Sequence, residues 1–224
     1  TLRTAIEVGR VHHAFLVSGT RGVGKTTVAR ALARALNCVN GPAPTPCGEC
    51  ASCVEILAGS SPDVIEVDGA SNNSVDDIRD LRESVRYMPV HGRSKVYIVD
   101  EVHMLSKGAF NALLKTLEEP PEHVKFVFAT TEIRRVPVTV LSRCQRFDLR
   151  RIDMETLNTH FKSVAEQEAI ETEPEALQLI SRAADGSVRD GLSLLDQAIA
   201  LSDGPVTGAS VQSMLGLADR AAVF

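Results

Sequence analysis

The residues with the clearest chemistry form a glycine-rich run that matches G-x-x-x-x-G-K-[ST] at every position. In such a run the glycines let backbone N–H groups point at phosphate oxygens, and the helix that follows adds the positive end of its dipole. We expect Lys25 to reach the β- and γ-phosphates of a nucleotide and the Thr26 hydroxyl to bind Mg²⁺. The predicted phosphate-binding residues are Gly19, Thr20, Arg21, Gly22, Val23, Gly24, Lys25, Thr26 and Thr27.

Two adjacent acids, Asp100 and Glu101, follow the apolar run at 96–99. A buried strand that ends in acids is the partner that a phosphate loop needs, because the carboxyl ends of parallel strands share one edge of the sheet. We expect Asp100 to hold Mg²⁺ and Glu101 to orient or deprotonate the attacking water. The letters DEVH at 100–103 also fit a helicase box. Helicases of that kind carry a second RecA-like domain, whereas only helical patterns follow residue 150 here.

Two hydroxyls and two arginines are further candidates. Thr130 and Thr131 end an apolar run, where a hydroxyl could bond the γ-phosphate or the attacking water, or simply end a strand. Arg143 lies in a Ser-Arg-Cys triplet, and Arg189 lies at the start of a helical pattern. Either arginine could be a solvated surface charge or a cation that contacts nucleotide, and spacing alone leaves both interpretations open.

Four of the five cysteines, Cys38, Cys47, Cys50 and Cys53, are spaced C-x8-C-x2-C-x2-C, while Cys144 stands apart. This spacing lets four thiolates converge on one ion, and zinc is the metal typical of such a set. A C-x2-C redox pair would need no further cysteines, and free or buried thiols are the remaining alternative. Nothing nearby leaves a coordination position open, so we expect the zinc site to be structural.

Strand and helix patterns alternate in the first two thirds of the sequence. Apolar runs predict strands at 14–18, 63–67, 95–100, 124–131 and 145–149, with helices at 25–37, 74–86 and 106–119. This alternation predicts an α/β fold with a five-stranded parallel sheet. Helical patterns at 153–169, 172–185 and 187–201 follow, the second opening with a capping box from Thr172 to Glu175. We therefore expect an α/β domain at 1–151, with a zinc-binding insertion at 38–53, and a small helical domain at 152–224.

Composition limits the class of protein. The net charge of −5 gives no overall basic surface for nucleic acid, so any such contact must be local. No apolar run approaches the roughly 18 residues of a membrane span, and no signal peptide is recognisable, so we expect an intracellular protein that does not enter membranes. The sequence begins without Met, and we expect it to be a fragment of a longer chain.

Several stretches together resemble the gamma/tau family of bacterial DNA polymerase III, the motor ATPases of clamp loaders within the AAA+ class. They are HHAFLVSGTRGVGKTT, TPCGECASC, KVYIVDEVHMLS, FNALLKTLEEPPEHVKF, LSRC and AADGSVRDGLSLLDQAI. The resemblance implies that ATP, Mg²⁺ and Zn²⁺ are the cofactors. It also implies that Arg143 is an arginine finger acting on ATP of a neighbouring subunit. Arg189 would be the second sensor on a helical lid, and Thr130 with Thr131 the first sensor.

The resemblance further implies a function. ATP binding would open a sliding clamp and load it on primer–template DNA, and hydrolysis would release the loader. The implied partners are delta, delta-prime and further gamma/tau copies, which work together in the replisome of the bacterial cytoplasm. The implied enzyme is an ATPase that acts within a DNA-directed DNA polymerase complex, which is classed as a nucleotidyltransferase. The alternatives are a non-hydrolysing scaffold subunit of the same assembly and another AAA+ DNA-remodelling ATPase.

Two features of this sequence depart from the family pattern. The family's adenine-pocket segment before residue 1 and its collar domain after residue 224 are absent, so we expect the isolated chain to be monomeric and to bind nucleotide weakly. Ser71-Asn72-Asn73-Ser74 also stands where some relatives carry basic residues that meet DNA.

Overall fold

A parallel β-sheet forms the centre of the computed structural model, which describes residues 2–202 and 204–221. Its five strands lie in the order β2-β3-β4-β1-β5. They are β1 (Ala14–Ser18), β2 (Val64–Asp68), β3 (Lys95–Asp100), β4 (Val124–Thr130) and β5 (Gln145–Asp148). The predicted fold class is therefore confirmed, and each strand lies within one residue of its predicted bounds.

Helices pack on both faces of this sheet, in a compact unit formed by residues up to Gly19 and Lys25–Leu149. They are α1 (Leu2–Glu7), α2 (Lys25–Asn37), α3 (Ala51–Ala58), α4 (Val75–Ser84), α5 (Lys107–Glu118) and α6 (Val138–Leu141), with 3₁₀ turns at Val102–Met104 and Ile133–Arg135. Ser106 caps α5 as predicted, because its hydroxyl accepts from Ala109 N at 3.2 Å. Ser74 and Asp77 form a capping box at the start of α4.

Two apolar clusters pack the sheet against the helices on its two faces. Leu16 and Phe126 belong to the cluster that includes residues of α4 and α5. Phe15 and Val127 belong to the other, which includes residues of α2. Neighbouring residues of a strand point to opposite faces, and all five residues of β1 are buried, as is typical of a central parallel strand. The strand ends that carry the candidate site are thus held by core packing on both sides.

A second compact unit is helical and contains residues 20–24 together with those from Arg150 onward. Its helices are α7 (Met154–Gln167), α8 (Pro174–Ala183), α9 (Val188–Ala200) and α10 (Gly208–Ala221). Leu157, Phe161, Ile180 and Leu195 are at most 2% exposed and lie in its apolar core. Across the residues that the structure describes, no helix combines the length and apolar character needed to cross a membrane.

The predicted capping box at Thr172 and Glu175 is wrong. Thr172 instead forms an extended bridge with Val206, and Glu173 N donates to Val206 O at 2.9 Å. Glu173 is the N-cap residue, but its carboxylate accepts from Gly208 N at 2.8 Å and does not cap α8, while Pro174 occupies the first turn of this helix. Pairing with Val206 thus removes the threonine from the helix start, and proline begins the helix because its fixed φ suits that position.

Candidate functional site

The parallel register brings the predicted phosphate and magnesium residues to one edge of the sheet. Ser18 at the end of β1 pairs with Thr130 at the end of β4. Asp100 ends the neighbouring strand β3, and α2 begins at Lys25, after the loop that leaves β1. The carboxyl edge of a parallel sheet is where doubly wound folds bind their ligands.

Lys25, Thr26 and Asp100 make a compact group within the α/β unit. Lys25 is only 6% exposed, and its Nζ donates to Gly19 O at 3.2 Å. Thr26 Oγ1 donates to Asp100 Oδ2 at 2.7 Å, while Asp100 Oδ1 accepts from Glu101 N at 2.9 Å. A hydroxyl beside a carboxylate is a donor set that fits Mg²⁺, which binds few protein oxygens and keeps sites for water and phosphate.

Glu101 is held in a strained backbone conformation beside this group. Its φ of 43° lies in the left-handed region, which is uncommon for a residue with a side chain. Thr131 Oγ1 donates to Glu101 Oε2 at 2.9 Å. Gly69 N donates to Asp100 O at 2.8 Å, and a Cβ at Gly69 would lie 2.9 Å from the carbonyl oxygens of Asp100 and Glu101. Thr131 thus orients the carboxylate of Glu101, while Gly69 allows the close approach of its backbone.

His103 is a member of the site that the sequence did not single out. Its side chain is only 5% exposed, and its Nδ1 lies 3.0 Å from Thr130 Oγ1 and 3.4 Å from Glu101 Oε2. Its Nε2 lies 3.5 Å from Glu132 Oε1. The letters DEVH were the available signal, but spacing along the chain did not show that His103 would meet Thr130. The histidine connects the ends of β3 and β4.

The tip of the glycine-rich loop, residues 20–24, belongs by its contacts to the helical unit. Gly22 O accepts from Val188 N at 3.0 Å. Gly22 has a φ of +76°, and a Cβ there would lie 1.9 Å from Ser187 Oγ and 3.3 Å from the Cβ of Arg189. Glycine is therefore required on both conformational and steric grounds. Arg189 is exposed in the first turn of α9, next to this loop tip.

The remaining loop residues differ in exposure. Arg21 and Thr27 are exposed, whereas Val23 is buried, with only 8% of its surface exposed. Gly24 has a φ of +93°, which again suits glycine.

Arg143 lies apart from the other predicted site residues. It stands between α6 and the start of β5, and so at the amino edge of the sheet, opposite the edge that carries Asp100. Its Nη2 pairs with Glu118 Oε1 at 2.6 Å, and its Nη1 donates to Thr139 O at 2.7 Å. The guanidinium is thus oriented by its own chain and does not join Lys25.

The four clustered cysteines meet as their spacing predicts. The sulfur atoms of Cys38, Cys47, Cys50 and Cys53 all lie within 4.8 Å of one another. Cys53 lies on α3, a helix that the sequence analysis missed within and after its predicted insertion. Cys47 N points at Cys38 Sγ at 3.3 Å, and Cys50 N points at Cys47 Sγ at 3.4 Å. Backbone N–H groups directed at sulfur favour the thiolate form that metals bind.

The surroundings of the sulfurs shift the pKa values of the clustered thiols in opposite directions. N–H groups of Val39 and then Cys53 lower the pKa of the Cys50 thiol to about 6, whereas burial raises the pKa of the Cys53 thiol to about 11. Arg34 Nε is buried and has no hydrogen-bond partner among the described residues. The Arg34 side chain also donates a hydrogen bond to the Cys53 sulfur, which acts to lower the pKa of that thiol. Four thiolates around one Zn²⁺ leave two negative charges, which a nearby guanidinium offsets. Cys144 is separate, and burial raises its pKa to about 12.

Comparisons with known proteins place the chain in a family. Residues 1–153 match the family described as "DNA polymerase III, delta subunit", and residues 156–204 match "DNA polymerase III clamp loader subunit, ATPase lid domain". DNA polymerase III subunit tau of Escherichia coli is 56% identical over 218 residues, which are 97% of this chain and 34% of that protein. This chain belongs to the gamma/tau family of DNA polymerase III clamp-loader subunits.

Other gamma/tau relatives have similar levels of sequence identity. Subunit tau of Bacillus subtilis is 53% identical over 202 residues, covering 90% of this chain and 36% of that protein. Subunit gamma of Buchnera aphidicola from Acyrthosiphon pisum is 51% identical over 216 residues, covering 96% of this chain and 60% of that protein. The chain therefore spans about a third of the length of the tau relatives.

The fold of this gamma/tau family member is the AAA+ fold with a helical lid domain. A solved structure of the Thermotoga maritima RuvB Holliday junction branch migration motor aligns with a TM-score of 0.69. That alignment covers 96% of this chain and 65% of RuvB at 19% sequence identity. At this identity the similarity concerns the fold alone.

Proposed function

We propose that this protein is the ATP-hydrolysing motor of a bacterial clamp loader. ATP binding opens the sliding clamp and places it on primed DNA, and hydrolysis releases the loader. The partners in this proposal are delta, delta-prime, further gamma/tau copies, the clamp and primer–template DNA. The nucleotidyltransferase activity of the polymerase complex is not assigned to these residues, whose arrangement supports phosphoryl transfer to water.

One observation carries the proposal: Thr26 Oγ1 donates to Asp100 Oδ2 at 2.7 Å at the carboxyl edge of the sheet, one residue after the buried Lys25. Phosphoryl transfer requires mainly positioning and electrostatic stabilisation, which a lysine and a Mg²⁺ ion on these oxygens would supply. Thr26 and Asp100 would hold the Mg²⁺ ion, which would supply positive charge to stabilise the phosphoryl transfer. Glu101, one residue beyond Asp100, would orient or deprotonate the water.

The position of Arg143 supports its action on a neighbouring subunit. It lies at the sheet edge opposite Lys25 and is oriented by Glu118 and Thr139 O. A cation so placed does not serve the site of its own chain, but it could enter a site that faces the amino edge of the sheet. Arg189, next to the tip of the phosphate loop, would instead sense nucleotide in the same subunit.

Zinc at the four cysteines would have a structural role. The four thiolates complete its tetrahedral shell, so no position is left for a substrate. Because Cys38 follows α2 and Cys53 lies on α3, the ion would tie these two helices together. It would thereby stabilise the loop between them.

The test is steady-state ATPase of the full-length protein, assembled with its loader partners, clamp and primed DNA. Lys25→Ala should reduce turnover to background. Lys107→Ala changes an exposed lysine on α5 and should leave turnover unchanged. Equal turnover in the wild type and Lys25→Ala would refute the motor and favour a scaffold subunit that binds and positions other subunits.

A further inference from the structure

The hydroxyl of Thr130 lies between two nitrogen atoms in a fully buried position. Its residue is 0% exposed, and its Oγ1 accepts from Glu132 N at 3.0 Å. His103 Nδ1 lies at the same distance, 3.0 Å, from this oxygen. A threonine hydroxyl has two acceptor lone pairs and one hydrogen to donate, so it can form a hydrogen bond with His103 Nδ1 whichever ring nitrogen carries the hydrogen.

A carboxylate lies beside the same ring nitrogen. Glu101 Oε2 is 3.4 Å from His103 Nδ1. The other ring nitrogen lies 3.5 Å from Glu132 Oε1, on a side chain that is 54% exposed. The imidazole, only 5% exposed, therefore stands between the Thr130 hydroxyl and two carboxylates.

We propose that His103 is a positioning residue that holds the Thr130 hydroxyl and the Glu101 carboxylate in place beside each other. The imidazole thereby links the end of β4, where the terminal phosphate would be detected, to the candidate base. This inference rests on the proposed ATPase function.

Two substitutions separate the ring nitrogens of His103. In His103→Asn the amide can occupy the place of Nδ1 and still form a hydrogen bond with Thr130. In His103→Gln the amide reaches the place of Nε2, so the hydrogen bond to Thr130 is lost. We expect kcat within about threefold of wild type for Asn and a fall of about tenfold for Gln, the size of one lost hydrogen bond in a transition state. ATP affinity and thermal stability should stay near wild-type values in both.

The experiment measures kcat, ATP affinity and melting temperature in the assembled loader, with His160→Gln on the exposed surface of α7 as the matched control. It is repeated in a Thr130→Val background, where His103→Gln should cause a smaller loss because the hydrogen bond between residues 103 and 130 is already absent. Equal losses in the Asn and Gln variants, or an undiminished loss in the valine background, would give His103 a merely structural role and overturn the inference. A wild type no faster than Lys25→Ala would instead contradict the proposed function.

Discussion

Asp63, just before β2, is predicted to be a major determinant of stability in the α/β unit. Its residue is 2% exposed, and its carboxylate accepts from the backbone N–H groups of Val90 at 2.5 Å, His91 at 2.8 Å and Gly92 at 2.5 Å. Burial alone would raise the pKa of Asp63, but these three donors outweigh it and hold the pKa below its usual value. The carboxylate therefore anchors the segment that leads into β3 and its terminal acids.

The substitution Asp63→Asn should cost about 3 kcal/mol of unfolding free energy at pH 7. Each hydrogen bond to a charged group contributes about 1.5–3 kcal/mol, and the asparagine NH₂ would face one of the three donors while its oxygen still accepts from others. For a chain of this length that loss corresponds to a fall of about 6–12 °C in melting temperature. Asp76→Asn, at a carboxylate that is 83% exposed and pairs with Arg79, should change stability by less than about 1 kcal/mol.

The pH dependence has a definite sign. Because the pKa of Asp63 is lower in the folded than in the unfolded chain, its stabilisation is present above the unfolded value of about 4 and is lost as pH falls through the folded value. Urea unfolding at pH 7 and at stepwise lower pH should show the difference between wild type and Asp63→Asn shrinking in acid. A difference below about 1 kcal/mol at pH 7, or one that stays constant in acid, would refute the reasoning.

Three further predictions concern the site and the metal. Arg143→Ala should lower ATP hydrolysis by the assembled loader by about 10³-fold, with ATP affinity of the same chain unchanged; a parallel loss of affinity would contradict its action in trans. Thr26→Val should lower Mg²⁺-dependent turnover at least about tenfold, because the substitution removes one metal ligand and its hydrogen bond to Asp100. Unchanged turnover at limiting Mg²⁺ would count against the magnesium site. Metal analysis of reduced, freshly purified protein should find one zinc per chain, lost in Cys53→Ser but kept in Cys144→Ser, and chelation should lower the melting temperature; zinc-free wild type would rule out the zinc assignment.

The sheet could be predicted from the sequence because its strands are short apolar runs with clear ends. β1 and β3 match their predicted bounds, since a central parallel strand is apolar on both faces. The order of the elements also placed Lys25 and Asp100 at one edge, because parallel strands end together. The cysteine spacing predicted that the sulfurs would meet, since two C-x2-C steps leave the thiols little room to diverge.

Contacts between residues far apart in the chain could not be predicted in this way. The meeting of His103 with Thr130 depends on the order of β3 and β4 in the sheet and on the turn after Glu101. The pairing of Thr172 with Val206, which removed the predicted capping box, is likewise a tertiary contact that overrides a local signal. The pair between Arg143 and Glu118 joins two elements that no sequence motif connects.

The central claim is that the sheet edge formed by Lys25, Thr26 and Asp100 binds the triphosphate of ATP with Mg²⁺. Isothermal titration of the full-length protein with ATP and Mg²⁺ tests it most directly. We predict one binding site per chain, lost in Lys25→Ala and kept in Lys107→Ala. Absence of binding to the correctly folded wild type, or equal binding to wild type and Lys25→Ala, would contradict the account.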